Sequence, residues 1–136
     1  MPNQRKLYVI QQDAGNDGLY HWKLFLATEG KTTSGVWHDV VWSPDKDVGM
    51  LHRGPISYSE AKSRNLLGIW EIGTIASSDA VQVDIICSTT RTPQYTVEDK
   101  DKNCQTWIFD VVGGLVQAGI LDQSAFANLA RVPRVE

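Results

Sequence analysis

Two hydrophobic periods that no single element can satisfy divide this chain: its first half alternates with period two, and its last third repeats with the period of a helix. Between Leu19 and Thr28, Tyr20, Trp22, Leu24 and Leu26 share one face of a strand, while His21, Lys23, Phe25 and Ala27 share the other. The run Val36 to Trp42 puts Val36, His38, Val40 and Trp42 on one side and Trp37, Asp39 and Val41 on the opposite side. From Cys104 onward, Cys104, Trp107, Ile108, Val111, Leu115 and Ala118 recur at helical spacing. Strands followed by helices predict an α+β fold, an antiparallel sheet packed against a cysteine-bearing helix and a C-terminal helix.

Turn and cap residues set the remaining boundaries. Leu7 to Gln11 is a short strand, and the Gly, Asn and Asp residues between Asp13 and Gly18 turn it into a hairpin with the next. A loop from Glu29 to Gly35 separates the two alternating strands, and Pro44 ends the second. A short strand is expected at Met50 to His52, a helical turn from Ser57 through Ser63 on the Ser57···Glu60 capping pattern, and a strand from Leu66 to Ile75. Residues 79–88 fit a strand through Val81, Val83 and Ile85 and a helix through Ala80, Val83 and Cys87; the preceding Ser77-Ser78-Asp79 favours helix. Thr89 to Lys102 is a long charged loop, a length that compact domains usually keep for function. Asp101 or Asn103 caps the cysteine-bearing helix and Gly119 terminates it. Gly113-Gly114 inside that helix predicts close packing on the sheet. A last helix capped by Asp122 buries Phe126, Leu129 and Ala130 and stops at Pro133.

At 136 residues the chain is one domain, residues 1–136, and 42% hydrophobic with 21% charged residues is an ordinary globular balance. Thirteen Lys and Arg against sixteen Asp and Glu leave a net charge of −3 with no basic stripe, so a nucleic-acid partner is not expected. The apolar run Leu7 to Ile10 is too short for a membrane span or a signal core. The expected address is cytoplasmic, where thiols stay reduced. Two cysteines make no disulfide framework.

Cys104 stands where helix physics favours a thiolate, because the free amides and positive dipole end of a first turn stabilise the anion. Such a nucleophile needs a base and a group to orient the base, and His21 and His38 are the candidates. A hairpin register that brings both histidines to one face lets His21 contact Cys104 while His38 or another polar group fixes its imidazole. Tyr20-His21-Trp22 opening a strand, His38 on the next strand and Asn103-Cys104 opening a later helix resemble the permuted papain-like fold, and within it the lecithin retinol acyltransferase family. That resemblance implies Cys104 as nucleophile, His21 as general base and His38 as orienting residue. The function then expected is a small cysteine-dependent hydrolase or acyltransferase acting on a small-molecule or peptide-like amide, ester or thioester, without a cofactor.

Other readings of the same residues stand beside this one. Cys87, inside an apolar stretch, is expected to be structural, His52 to lie on the surface, and the five tryptophans to be mostly core with one or two lining a pocket. The histidines also suit acid-base cyclisation of a bound small molecule, and the whole chain suits a non-catalytic binding module. Cys104, His21 and His38 together supply three ligands for an open zinc site, although the short ligand pairings typical of zinc are missing.

Overall fold

The computed structural model describes residues 3–15, 17–59 and 66–136. Five strands, β1 (Gln4–Ala14), β2 (Tyr20–Ala27), β3 (Ser34–Trp42), β4 (Met50–Ser59) and β5 (Leu66–Ala76), precede three helices, α1 (Ala80–Thr89), α2 (Cys104–Gln117) and α3 (Ala125–Ala130). The strands form one sheet in the order β4-β3-β2-β1-β5, with every neighbouring pair antiparallel. The architecture is α+β, with the helices gathered on one face.

The alternation decides which face that is. Trp22, Leu24 and Leu26 of β2 and Val40 of β3 meet Trp107, Ile108, Val111 and Leu115 of α2 in the main core. Burying a side chain of this size is worth roughly 1.5–3 kcal/mol, so the stripe on α2 is enough to fix it on the sheet. Phe25, Ala27 and Trp37 point the other way and join Tyr8, Ile10 and Tyr58 in a second cluster.

Residues 80–89 are helical, the alternative that Ser77-Ser78-Asp79 favoured, with Val83 and Cys87 as the buried positions. Other expectations change. β4 runs to Ser59, so the helical turn expected from Ser57 gives way to strand, and its remainder at 60–63 lies outside the described residues. The glycine pair does not pack on the sheet. A methyl group on Gly113 meets nothing within 4 Å, whereas one on Gly114 comes 3.2 Å from Ile86 of α1, so the close approach is between helices. In α3 the buried residues are Ala125 and Leu129, while Phe126 and Ala130 face outward.

Candidate functional site around Cys104

The hydrogen-bonded ladder between β2 and β3 runs from Ala27↔Gly35 to Leu24↔His38 and no further among the described residues. Upstream of Leu24, β2 stays paired with β1 while its first residue, Tyr20, donates to the Arg134 carbonyl of the C-terminal tail, and beyond His38, β3 stays paired with β4. The two strands therefore part just where His21 and Asp39 stand. Cys104 at the start of α2 meets this split, and a cavity of about 240 Å³ opens there, lined by Tyr20, His21, Val40, Trp42, Asn103 and Cys104 among others.

Asn103 builds the helix start that presents the cysteine. Its side-chain oxygen accepts from the amides of Gln105 at 2.9 Å and Thr106 at 3.2 Å, and the Thr106 hydroxyl accepts from the Asn103 amide at 2.8 Å. The cap leaves the Cys104 amide as the first-turn donor that meets no acceptor among the described residues. Gln105, a buried polar residue that the sequence reading did not single out, donates to the carbonyls of Tyr20 at 2.9 Å and Arg134 at 2.8 Å. It ties the first turn of α2 to the strand that carries His21. Replacing Asn103 by alanine is expected to cost about 1 kcal/mol, read as a lower thermal midpoint, with serine restoring most of it. An unchanged midpoint in the alanine variant would show that the cap is dispensable.

His21 Nε2 pairs with Asp39 Oδ2 at 2.7 Å. Asp39 is fully buried and is also held by the Arg53 guanidinium, with Arg53 Nε donating to Oδ1 at 2.8 Å and a second guanidinium nitrogen to Oδ2. Burial opposes the charge on His21, but hydrogen bonds to Asp39 and Cys104, with coulombic attraction to both, outweigh it and lift its pKa to about 9. Burial likewise pushes the Asp39 carboxyl up, and His21 and Arg53 more than offset this, holding it below its ordinary value. With Nε2 engaged by Asp39, Nδ1 is the ring nitrogen left for the sulfur. Lys23 and Arg53 both stack over the Trp37 ring, Lys23 Nζ at 3.7 Å from its centroid.

The structure brings His21 and Cys104 together and separates them from His38. Because His38 pairs with Leu24, its side chain lies on the helix-facing side, opposite to His21. Its two ring nitrogens are taken, Nδ1 by His52 Nε2 at 2.9 Å and Nε2 by Asp84 Oδ1 at 2.7 Å. His38 is 1% exposed and cannot orient His21; Asp39, the next residue, holds that position. His52 is accordingly not a simple surface residue, since it stacks on His38 and packs on Trp107. A bulge in β4, with Gly54 and Pro55 opposite the single residue His38, makes room for this arrangement; a Cβ on Gly54 would sit 2.7 Å from His38 Nδ1. The three zinc ligands of the alternative reading do not converge. Among the described residues no group of three or more His, Cys, Asp or Glu is placed to hold a metal ion. Cys87 is buried with its thiol pushed far up by burial, and both cysteines are free.

Residues 7–122 match the model of a family of unknown function, DUF6540. The chain belongs to that family. The DUF6540 match takes in His21, Asp39, Arg53 and Cys104 and ends before α3. No curated protein and no solved structure matches the chain. Among the described residues no helix is long and apolar enough to cross a membrane.

Proposed function

We propose that the chain is a cysteine-dependent hydrolase or acyltransferase of amide, ester or thioester substrates. Cys104 acts as nucleophile, His21 as proton carrier and Asp39 as the residue that orients His21, in a permuted papain-like arrangement similar to the lecithin retinol acyltransferase family. The observation that carries this reading is the meeting of Cys104 and His21 in one cavity, with a buried carboxylate on the far nitrogen of the imidazole. A nucleophile, a base and an orienting group in that sequence of contacts is the general design of thiol and serine acyl transfer.

The raised pKa of His21 defines its part. At neutral pH the ring is an imidazolium, the neighbour that makes a cysteine sulfur a good nucleophile. The Cys104 sulfur attacks the substrate carbonyl, a C–S bond forms, and the oxyanion accepts from the free Cys104 amide. Collapse expels the alcohol, amine or thiol, which takes the proton from His21 Nδ1. Neutral His21 then removes a proton from water or an acceptor nucleophile, which attacks the thioester and releases the Cys104 sulfur, restoring the starting pair.

Labelling by a chloroacetamide probe at pH 7 is expected to fall on Cys104 at least about tenfold faster than on Cys87 or on N-acetylcysteine. A reaction at Cys104 no faster than the model thiol, or a label that maps to Cys87, would sink the proposal and leave a non-catalytic binding module.

A further inference from the structure

The cavity at Cys104 has a neighbour. Trp42, at the end of β3, lines it and also lines a second hollow of about 480 Å³ beside Lys46, Tyr95, Val97 and Lys100. That volume lies within the roughly 300–1,000 Å³ that small-molecule sites occupy. The two hollows share the Trp42 side chain, which places the second next to the one that holds Cys104.

The far wall is the 90–103 loop, and it is held in place. Asp99, 2% exposed, accepts from the Gln94 amide at 2.8 Å and from Arg91 at 2.8 Å, with Lys102 at 3.3 Å. The Pro93 carbonyl accepts from the Met50 amide at 2.8 Å, and the Tyr95 hydroxyl donates to the Ser43 carbonyl at 2.8 Å. Gly49 lets the loop come this close, since a Cβ there would lie 2.7 Å from the Pro93 oxygen. A long loop so tied is a preformed surface rather than a loose connection.

Two properties of that surface point to one kind of occupant. Trp42 and Tyr95 lie with ring centroids 4.5 Å apart yet remain 39% and 43% exposed, and Val97 beside them is 80% exposed. Uncovered aromatic faces of this size favour a planar apolar group. The charges are also uneven. The Asp99 carboxylate is engaged by Arg91 and Lys102, whereas Lys46 and Lys100 form no ion pair among the described residues. The uncommitted charges lining the hollow are two ammonium groups.

We infer that this hollow is the recognition subsite for an aromatic group bearing a carboxylate, laid against the exposed faces of the Trp42–Tyr95 pair with its anionic end toward Lys46 and Lys100. The inference rests on the reading of Cys104 as nucleophile only for the direction in which a substrate lies; the binding itself does not require it. It narrows the substrate class to aryl-containing anionic acyl compounds.

Titration calorimetry with 3-phenylpropionate and 3-phenylpropanol, on the intact chain and on Cys104→Ala, tests it. The acid is expected to bind about fivefold more tightly than the alcohol to both proteins, the increment an exposed cation can supply. The difference should vanish in Lys46→Gln/Lys100→Gln, and Trp42→Ala should weaken both ligands about tenfold. Because these side chains are exposed, folding is retained, and Trp42→Phe identifies the Trp42 indole resonance whose shift reports occupancy. Equal affinity for acid and alcohol, or affinities untouched by either substitution, would overturn the subsite. Should the acid preference appear in Cys104→Ala while the intact chain shows no acyl transfer, the subsite stands and the catalytic proposal fails.

Discussion

Replacing His21 by alanine is expected to lower turnover of an activated ester or thioester by about 10⁴-fold, with the fold intact. The expectation follows from the position of the ring between two partners that nothing else in the site can serve. Asp39 holds its Nε2 at 2.7 Å, and Cys104 shares its cavity. Without the imidazole, the sulfur loses its proton acceptor, the leaving group loses its donor and the second nucleophile loses its base. The 26% exposure of the His21 side chain means that truncation leaves a water-accessible space rather than a sealed void, so the protein stays folded, with a melting temperature lowered by the lost pairing with Asp39, while the rate collapses. His38→Ala is the matched control. That change strips Asp84 and His52 of their shared partner inside the helix-facing layer, and should cost about 1–3 kcal/mol of stability while keeping turnover within about tenfold of the parent. The reverse pattern, a rate collapse in His38→Ala with His21→Ala still active, would remove His21 from the chemistry.

The alternation in the first half carried more information about this site than the histidines did. With Thr28 opposite Val36, as the expected loop boundaries imply, His21 already shares a face with the odd-numbered residues of the next strand. Asp39 is the titratable group there, between Trp37 and Val41, whereas His38 belongs with Val36 and Val40. The observed register pairs Leu24 with His38 and keeps that parity. Pairing the two histidines followed residue type where strand geometry pointed to the carboxylate. The cap at Asn103, the helical stripe behind Cys104 and the helix at 80–89 were legible because each is written within one turn or a few turns of chain.

What was not legible depends on contacts distant in sequence. β4 is an edge strand on which Leu51 and Ile56 are both exposed, so it shows no alternation, and its Pro55 is tolerated because one side of an edge strand needs no ladder donor. The capping pattern that starts at Ser57 falls on its final residues, and neighbouring β3 instead takes Ser57 to Ser59 as strand, pairing Val36 with Ser57 and Ser34 with Ser59. The Asp84–His38–His52 chain joins α1, β3 and β4, and no spacing rule connects residues so far apart. Gln105 is similar: nothing local says that a polar side chain in the first turn of a helix will bridge β2 and the C-terminal tail.

Asp39→Asn is expected to reduce turnover about 10³-fold and to change how both rate and stability depend on pH. Asparagine keeps the shape of the side chain but not the charge that sustains the imidazolium. In the parent protein, His21 has a folded pKa of about 9 against an ordinary value of 6.5. A pKa raised by folding stabilises the fold most where the group is charged in both states. The contribution is therefore fully present below about pH 6.5 and is lost as pH rises through about 9. Asp39 acts in the opposite range: its pKa is depressed by folding, so its contribution is present above the ordinary carboxylate value and is lost as pH falls through the folded one. Urea midpoints measured from pH 5 to 10 should accordingly decline between about 6.5 and 9 in the parent, and the decline should flatten in Asp39→Asn, where His21 has lost its principal anion. The rate should follow, with the alkaline limb that marks loss of the His21 proton moving to lower pH in the variant. Arg53, deprived of its buried partner, gives a further lowering of the midpoint at every pH above the carboxylate range. If the two proteins show superimposable pH profiles for both rate and midpoint, Asp39 does not set the charge of His21, and the orienting role assigned to it is wrong.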